Sequence, residues 1–119
     1  MKKGCSFSRK ERVRKRRRFL EIYEEADKIQ GICLVLYLAE NNLRHHRLGV
    51  TVSRKIGGAV VRSRVKRRLR ELFRTNKSAI LPFCDLVINA KRRAVAASYQ
   101  ELEKDFLRAA RCWEGNQFR

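Results

Sequence analysis

The chain has 119 residues, 44% of them hydrophobic and 35% charged, and its 30 Lys and Arg against 12 Asp and Glu give a formal net charge of +18. This balance excludes a disordered chain and fits a single domain over 1–119 with one core. A cation this dense repels itself unless a polyanion is near, and the longest apolar run (31–39) is far short of the ~20 residues a membrane span needs, so nucleic acid leads membranes and acidic proteins as the partner class.

Residues 1–18 hold ten Lys or Arg, and 1–11 read as a mobile basic arm. The residues after it mix apolar and acidic types, so no signal-peptide core is formed and a cytoplasmic location is expected. Phe19, Ile22, Tyr23 and Ala26 recur at spacings of three and four, which predicts a helix over 17–27. Residues 32–39 read as a strand, 40–47 as a polar hairpin loop with His45 and His46 solvated, and 48–53 as a second strand alternating at period two. Gly57-Gly58 predicts a tight turn.

A basic helix is then expected over 59–76. It carries an apolar stripe at Val61, Val65, Leu69, Leu72 and Phe73, the first four of which fall within about 80° of arc. Arg62, Lys66, Arg67, Arg70 and Arg74 take the far side, and Arg64 and Arg68 form a row near the apolar edge. Leu81-Pro82 marks a turn and 84–90 a third strand. A last helix starts at Ser98, where Ser98 and Glu101 have the spacing of a capping box. Residues 114–119 read as a disordered tail. The second and third strands flank a helix long enough for a parallel crossover, so the class is a small α+β or α/β sandwich.

Nothing in the chain reads as a hydrolytic constellation. The acids are scattered and look like ion-pair partners, and Gly57-Gly58 lacks the Gly-Lys-Ser/Thr of a P-loop. The four cysteines (5, 33, 84, 112) have no zinc-site spacing and read as reduced thiols, with Cys33 and Cys84 in the core. No metal ligand set is found. Between 54 and 74, by contrast, nine residues are Lys or Arg and only Glu71 opposes them. An ordinary solvated face mixes signs; this one is built for phosphate, with Arg favoured for its planar fork. Phe19 and Tyr23, joined by Tyr37, have two readings: core packing, or a stacking platform for unpaired nucleotides.

The run Gly57-Gly-Ala-Val-Val-Arg-Ser-Arg-Val-Lys-Arg-Arg-Leu-Arg-Glu71 resembles the signature of the bacterial ribonuclease P protein component. Its context is similar too: Arg17-Arg-Phe-Leu-Glu-Ile-Tyr23, then Val35-Leu-Tyr37, then Arg47-Leu-Gly-Val-Thr-Val-Ser-Arg-Lys55, then Asp85-Leu-Val-Ile. The resemblance covers roughly 12–113. It implies a two-layer α+β sandwich like the second domain of ribosomal protein S5, with a left-handed β-α-β crossover. It implies the small subunit of a ribonucleoprotein that removes the 5′ leader of precursor tRNA, the catalytic Mg²⁺ being held by the RNA subunit and no catalytic residue by the protein. Lys55, Arg62, Arg64, Lys66, Arg67, Arg68 and Arg70 would face the RNA subunit. Arg16, Arg17, Phe19, Tyr23 and Tyr37 would face the leader. No DNA or membrane partner is expected. The chain departs from the family at Ser63 and Gly58, where Asn is usual. The alternative is a ribosomal or other structural RNA-binding protein without a catalytic role. A DNA-binding architectural protein is disfavoured, because strands bracket the basic helix and no helix-turn-helix is formed.

Overall fold

Residues 84–88 are buried one after another, on both faces of the strand they form. Such a run belongs at the centre of a sheet, and that is where it lies in the computed structural model, which describes residues 9–117. The elements are α1 (Arg16–Glu25), β1 (Asp27–Gln30), β2 (Leu34–Glu40), β3 (Arg47–Thr51), α2 (Ala59–Asn76), β4 (Cys84–Ala90) and α3 (Tyr99–Gln117). The sheet order is β1-β2-β4-β3, with β3 parallel to β4 and the other pairs antiparallel.

The expected hairpin between β2 and β3 is therefore corrected. β4 inserts between them, because its apolar run needs cover on both sides while β2 alternates between buried and half-buried positions. The parallel β3-α2-β4 crossover forms as expected. β1 is an addition to the elements read from the sequence. It is a polar edge strand with only Ile29 partly buried, and it carries no alternation to detect. Trp113 ties it to α3 by donating from Nε1 to Asp27 Oδ2 at 2.8 Å.

α2 and α3 cover one face of the sheet. Val65, Leu69, Leu72 and Phe73 of α2 meet Leu36, Leu38, Leu48, Leu86 and Ile88 of the strands and Leu102, Phe106 and Trp113 of α3. The capping box of α3 forms in both directions: the Ser98 amide donates to Glu101 Oε1 at 2.8 Å, and the Glu101 amide to Ser98 Oγ at 3.1 Å. Asp105 accepts from the amides of Ile32, Cys33 and Leu34, so α3 closes the turn before β2. Gly31 is required there, since a Cβ would fall on the Asp105 carboxylate.

The other face is covered, among the described residues, by α1 and the segment before it, with Ile22, Phe19, Tyr23 and Val13 packed on Val87 and Tyr37. Phe19 lies on Gly49, whose absent side chain makes the room; a Cβ there would sit 2.6 Å from the ring. Most of the expected N-terminal arm lies outside the described residues. Its end, Arg9–Glu11, forms a 3-10 turn held by a Glu11–Lys77 ion pair of 2.7 Å. At the other terminus α3 continues to Gln117, through part of the expected tail, and 118–119 lie outside the described residues.

His46 also departs from expectation. It is 5% exposed and not a solvated loop residue. Its Nδ1 accepts from the Cys84 amide at 3.1 Å, so its other nitrogen carries the proton and donates to Ile80 O at 3.0 Å. Burial is the largest cause holding its pKa below the ordinary histidine value. The neutral ring's contribution is fully present above the unfolded pKa near 6.5. It is lost as pH falls from there toward the lowered folded value, because the unfolded chain binds the proton first. We therefore expect thermal stability to drop as pH is lowered below about 6.5. His46→Gln, which can keep one donor and one acceptor, should flatten that slope, as read from melting curves across pH. An unchanged slope would place its origin at another group.

Candidate nucleic-acid interface

Two cationic or aromatic surfaces stand on opposite sides of the sheet. The first is the outer face of α2. Gly58 caps the helix in an extended conformation, and Gly57 is also extended, so the expected glycine-dependent turn is corrected: neither residue adopts a left-handed backbone. A Cβ at Gly58 would meet open space, while one at Gly57 would press on Val61.

From the cap onward the side chains sort by angle. Val65, Leu69, Leu72 and Phe73 of the expected apolar stripe point into the core, while Val61, its first member, is half-buried. Arg62 and Lys66 are half-buried beside that stripe and not on the far side. Arg62 Nε donates to Gly57 O. At the opposite edge Arg68 donates to Ala94 O and Ala97 O (2.5 Å for the latter), bracing the loop before α3. Lys55 is exposed on the 3-10 turn Arg54–Ile56, whose start is capped by Ser53 Oγ.

Arg64, Arg67 and Arg70 are exposed, three residues apart along the helix, with Ser63 beside the first of them. Two shallow grooves run along this face. Ala59, Val60, Ser63, Arg64 and Arg67 line one, and Ser63, Lys66, Arg67, Arg70, Glu71 and Arg74 the other. Glu71 is bonded to Arg74, which holds its carboxyl below the usual range. Arg64, Lys66, Arg67 and Arg70 have no side-chain partner among the described residues.

The second surface is the cleft between α1 and the sheet. Three rows cross β2, β4 and β3: Ala39, Asp85 and Arg47; Tyr37, Val87 and Gly49; Val35, Asn89 and Thr51. Phe19 covers the middle row. The Tyr23 hydroxyl donates to Asn89 Oδ1 at 3.1 Å and lies 3.2 Å from Thr51 Oγ1, which fixes the ring over the third row. Tyr37 meets Tyr23 edge-on at 4.8 Å, and Lys28 Nζ stands 5.8 Å from the Tyr37 ring centre. All three aromatics are half-buried, packed below and open above. The core-packing reading is met by all three rings, each of which also keeps part of its surface open to solvent. Arg16 and Arg17 are exposed at the start of α1. Lys28, Thr51 and Asn89 do not stand out in the sequence. Thr51 and Asn89 are legible there only as polar residues at period-two positions of strands whose pairing the sequence leaves open.

Asp85 is fully buried in the first row. Burial alone would push its carboxyl up, but hydrogen bonds from Arg47, Asn41 and Arg18 more than offset this and hold it below the usual carboxylate value. Among the described residues no group of three or more His, Cys, Asp or Glu is placed to hold a metal ion, and no helix is long and apolar enough to cross a membrane.

These features define an α+β RNA-binding protein: three helices on a four-stranded mixed sheet, an unneutralised arginine face on one side and an aromatic cleft on the other. Comparison with known proteins narrows the class. A family model described as Ribonuclease P matches residues 7–114. A ribonuclease P protein component from Syntrophus aciditrophicus is 40% identical over 100 residues, covering 84% of each chain. The solved RNase P protein of Thermotoga maritima superposes with a TM-score of 0.76 at 32% identity, over 84% of this chain and 94% of that one. The Staphylococcus aureus RNase P protein gives 0.72 at 32% identity, over 81% and 88%. The chain belongs to the bacterial ribonuclease P protein family, as the subunit that assists removal of the 5′ leader from precursor tRNA.

Proposed function

We propose that the outer face of α2 is the assembly surface for the RNase P RNA, and that the α1 cleft receives the single-stranded leader. The observation that carries the first half is the set of unpaired cations on one helix face, Arg64, Lys66, Arg67 and Arg70. Charges left without protein partners are ready for phosphate, and Arg adds bidentate geometry. Arg62, Arg68 and Lys55 flank the face and extend it; Arg62 and Arg68 each also brace a neighbouring carbonyl.

The leader half is supported by Phe19, Tyr23 and Tyr37, whose rings are rigidly backed yet accessible. Unstacked bases are held on such faces, and Arg16 and Arg17 stand near enough along α1 to meet the backbone. By this reading the protein lowers repulsion between two RNAs and fixes the leader near the scissile bond. The Mg²⁺ ions of the chemical step belong to the RNA subunit. A cytoplasmic location follows, with RNase P RNA and precursor tRNA as partners.

The test is reconstitution: the chain mixed with RNase P RNA at low Mg²⁺ should stimulate 5′ cleavage of precursor tRNA. A structural RNA-binding protein would bind without stimulating. For the cleft, Phe19→Ala and Tyr37→Ala should each weaken binding of leader-bearing precursor by about 1–3 kcal/mol while sparing mature tRNA. Equal losses for both substrates would mean that the rings serve only as packing.

A further inference from the structure

The first sheet row holds an arrangement that neither surface uses. Asp85 accepts four hydrogen bonds: from Arg47 Nε at 2.8 Å and its terminal nitrogen at 2.6 Å, from Asn41 Nδ2 at 2.9 Å, and from Arg18 Nε at 2.8 Å. One carboxylate therefore orients two guanidiniums, one from α1 and one from β3, and leaves the trio with a net positive charge. Neither arginine is used up. Each has five N–H donors, and the side chains remain 26% and 32% exposed.

Both arginines line a cleft of about 640 Å³. Its other lining residues are Lys10, Arg12, Val13, Arg14 and Lys15, so six cations and no acid form the wall. Glu21 bonds Arg18 from outside that wall, at 3.3 Å, and the buried Asp85 lies beneath it. Lys10, Lys15, Arg18 and Arg47 alone bring four like charges to one wall against the single buried Asp85, a balance that favours an anion shared among them. The planar fork of a preset guanidinium can donate to two oxygens of one phosphate at once. The cleft also adjoins the aromatic floor, since Asp85 is two residues from Val87 along β4, about 7 Å.

We propose that this cleft is a phosphodiester site for RNA backbone, separate from the α2 face, with Arg18 and Arg47 as its preset donors. For its position beside a bound base the site rests on the leader reading; its phosphate chemistry does not.

The experiment uses Arg18→Gln, which keeps a hydrogen-bond donor toward Asp85, and the double variant Lys10→Gln/Lys15→Gln, which touches no core residue. Each is reconstituted with RNase P RNA, and melting curves verify the fold. Affinity is measured for precursors with a long and a very short leader, for RNase P RNA, and for pyrophosphate on the protein alone. We expect weaker pyrophosphate binding for both variants, and in one RNA arm a loss of about tenfold with a salt slope lower by about 0.7 per cation removed. Loss confined to the long leader assigns the site to the leader backbone. Loss in the RNase P RNA arm assigns it to that RNA. Folded variants with every arm unchanged overturn the site. Phe19→Ala, measured alongside, separates the two failures: an effect there with none at Arg18 rejects this site and leaves the aromatic cleft standing.

Discussion

Changing Arg64, Arg67 and Arg70 together to alanine should cost the protein most of its affinity for RNase P RNA. Each is exposed, none braces another part of the chain, and they follow one another at three-residue spacing on the outer face of α2. Charge-assisted hydrogen bonds contribute about 1.5–3 kcal/mol each, so the three together correspond to about a thousandfold or more in Kd. The salt dependence should weaken in step, the slope of log K against log salt falling by about 0.7–0.9 for each phosphate that is no longer neutralised. Melting temperature should barely change, because alanine favours helix and the apolar stripe is intact. Arg68 is the wrong residue to include: its bonds to Ala94 O and Ala97 O hold the loop before α3, so its loss would mix folding with assembly. An unchanged Kd and salt slope in the triple variant would remove α2 from the RNA interface.

The same helix shows what a sequence can and cannot reveal. Its limits, 59–76, follow from periodicity and from Gly57-Gly58, and they match the structure. Which arginines stand free does not follow, because that depends on neighbours distant in sequence. Arg68 meets carbonyls 26 and 29 residues away, and Arg62 and Lys66 lie half-buried beside the stripe. The capping box at Ser98 and Glu101 is legible because it is local. β1 is not, because an edge strand needs no apolar pattern, and β4 is visible as a strand but not as the central one. His46 reads as solvated because a loop between strands is usually wet, and its partners, Ile80 and Cys84, lie 34 and 38 residues further on. The aromatic cleft is half legible: the rings are visible in the sequence, while Thr51 and Asn89, which fix Tyr23, are brought there only by strand pairing.

Asp85→Asn should be the most damaging single substitution to the fold at the α1 face. The carboxylate is fully buried, and its two oxygens accept from Arg18, Arg47 and Asn41. An asparagine keeps the shape but removes the charge and turns an amide toward donors, leaving Arg47 without its counter-ion and Arg18 with only the exposed Glu21. Breaking a buried pair in this way costs about 3–5 kcal/mol. Because both arginines still reach water, the lower end applies, a fall of about 10 °C in Tm. The wild type supplies an internal check through pH. The Asp85 carboxyl is held below its usual value, so its contribution is complete above the unfolded pKa near 4 and is lost as pH falls through the lower folded value. The variant should therefore be less stable than wild type at neutral pH, with the two converging in acid. The His46 window begins near 6.5, well above this one, so Asp85→Asn should leave it in place. Asp85→Asn melting like wild type at pH 7 would mean that water, not the carboxylate, balances Arg18 and Arg47, and that the two guanidiniums are not preset at all.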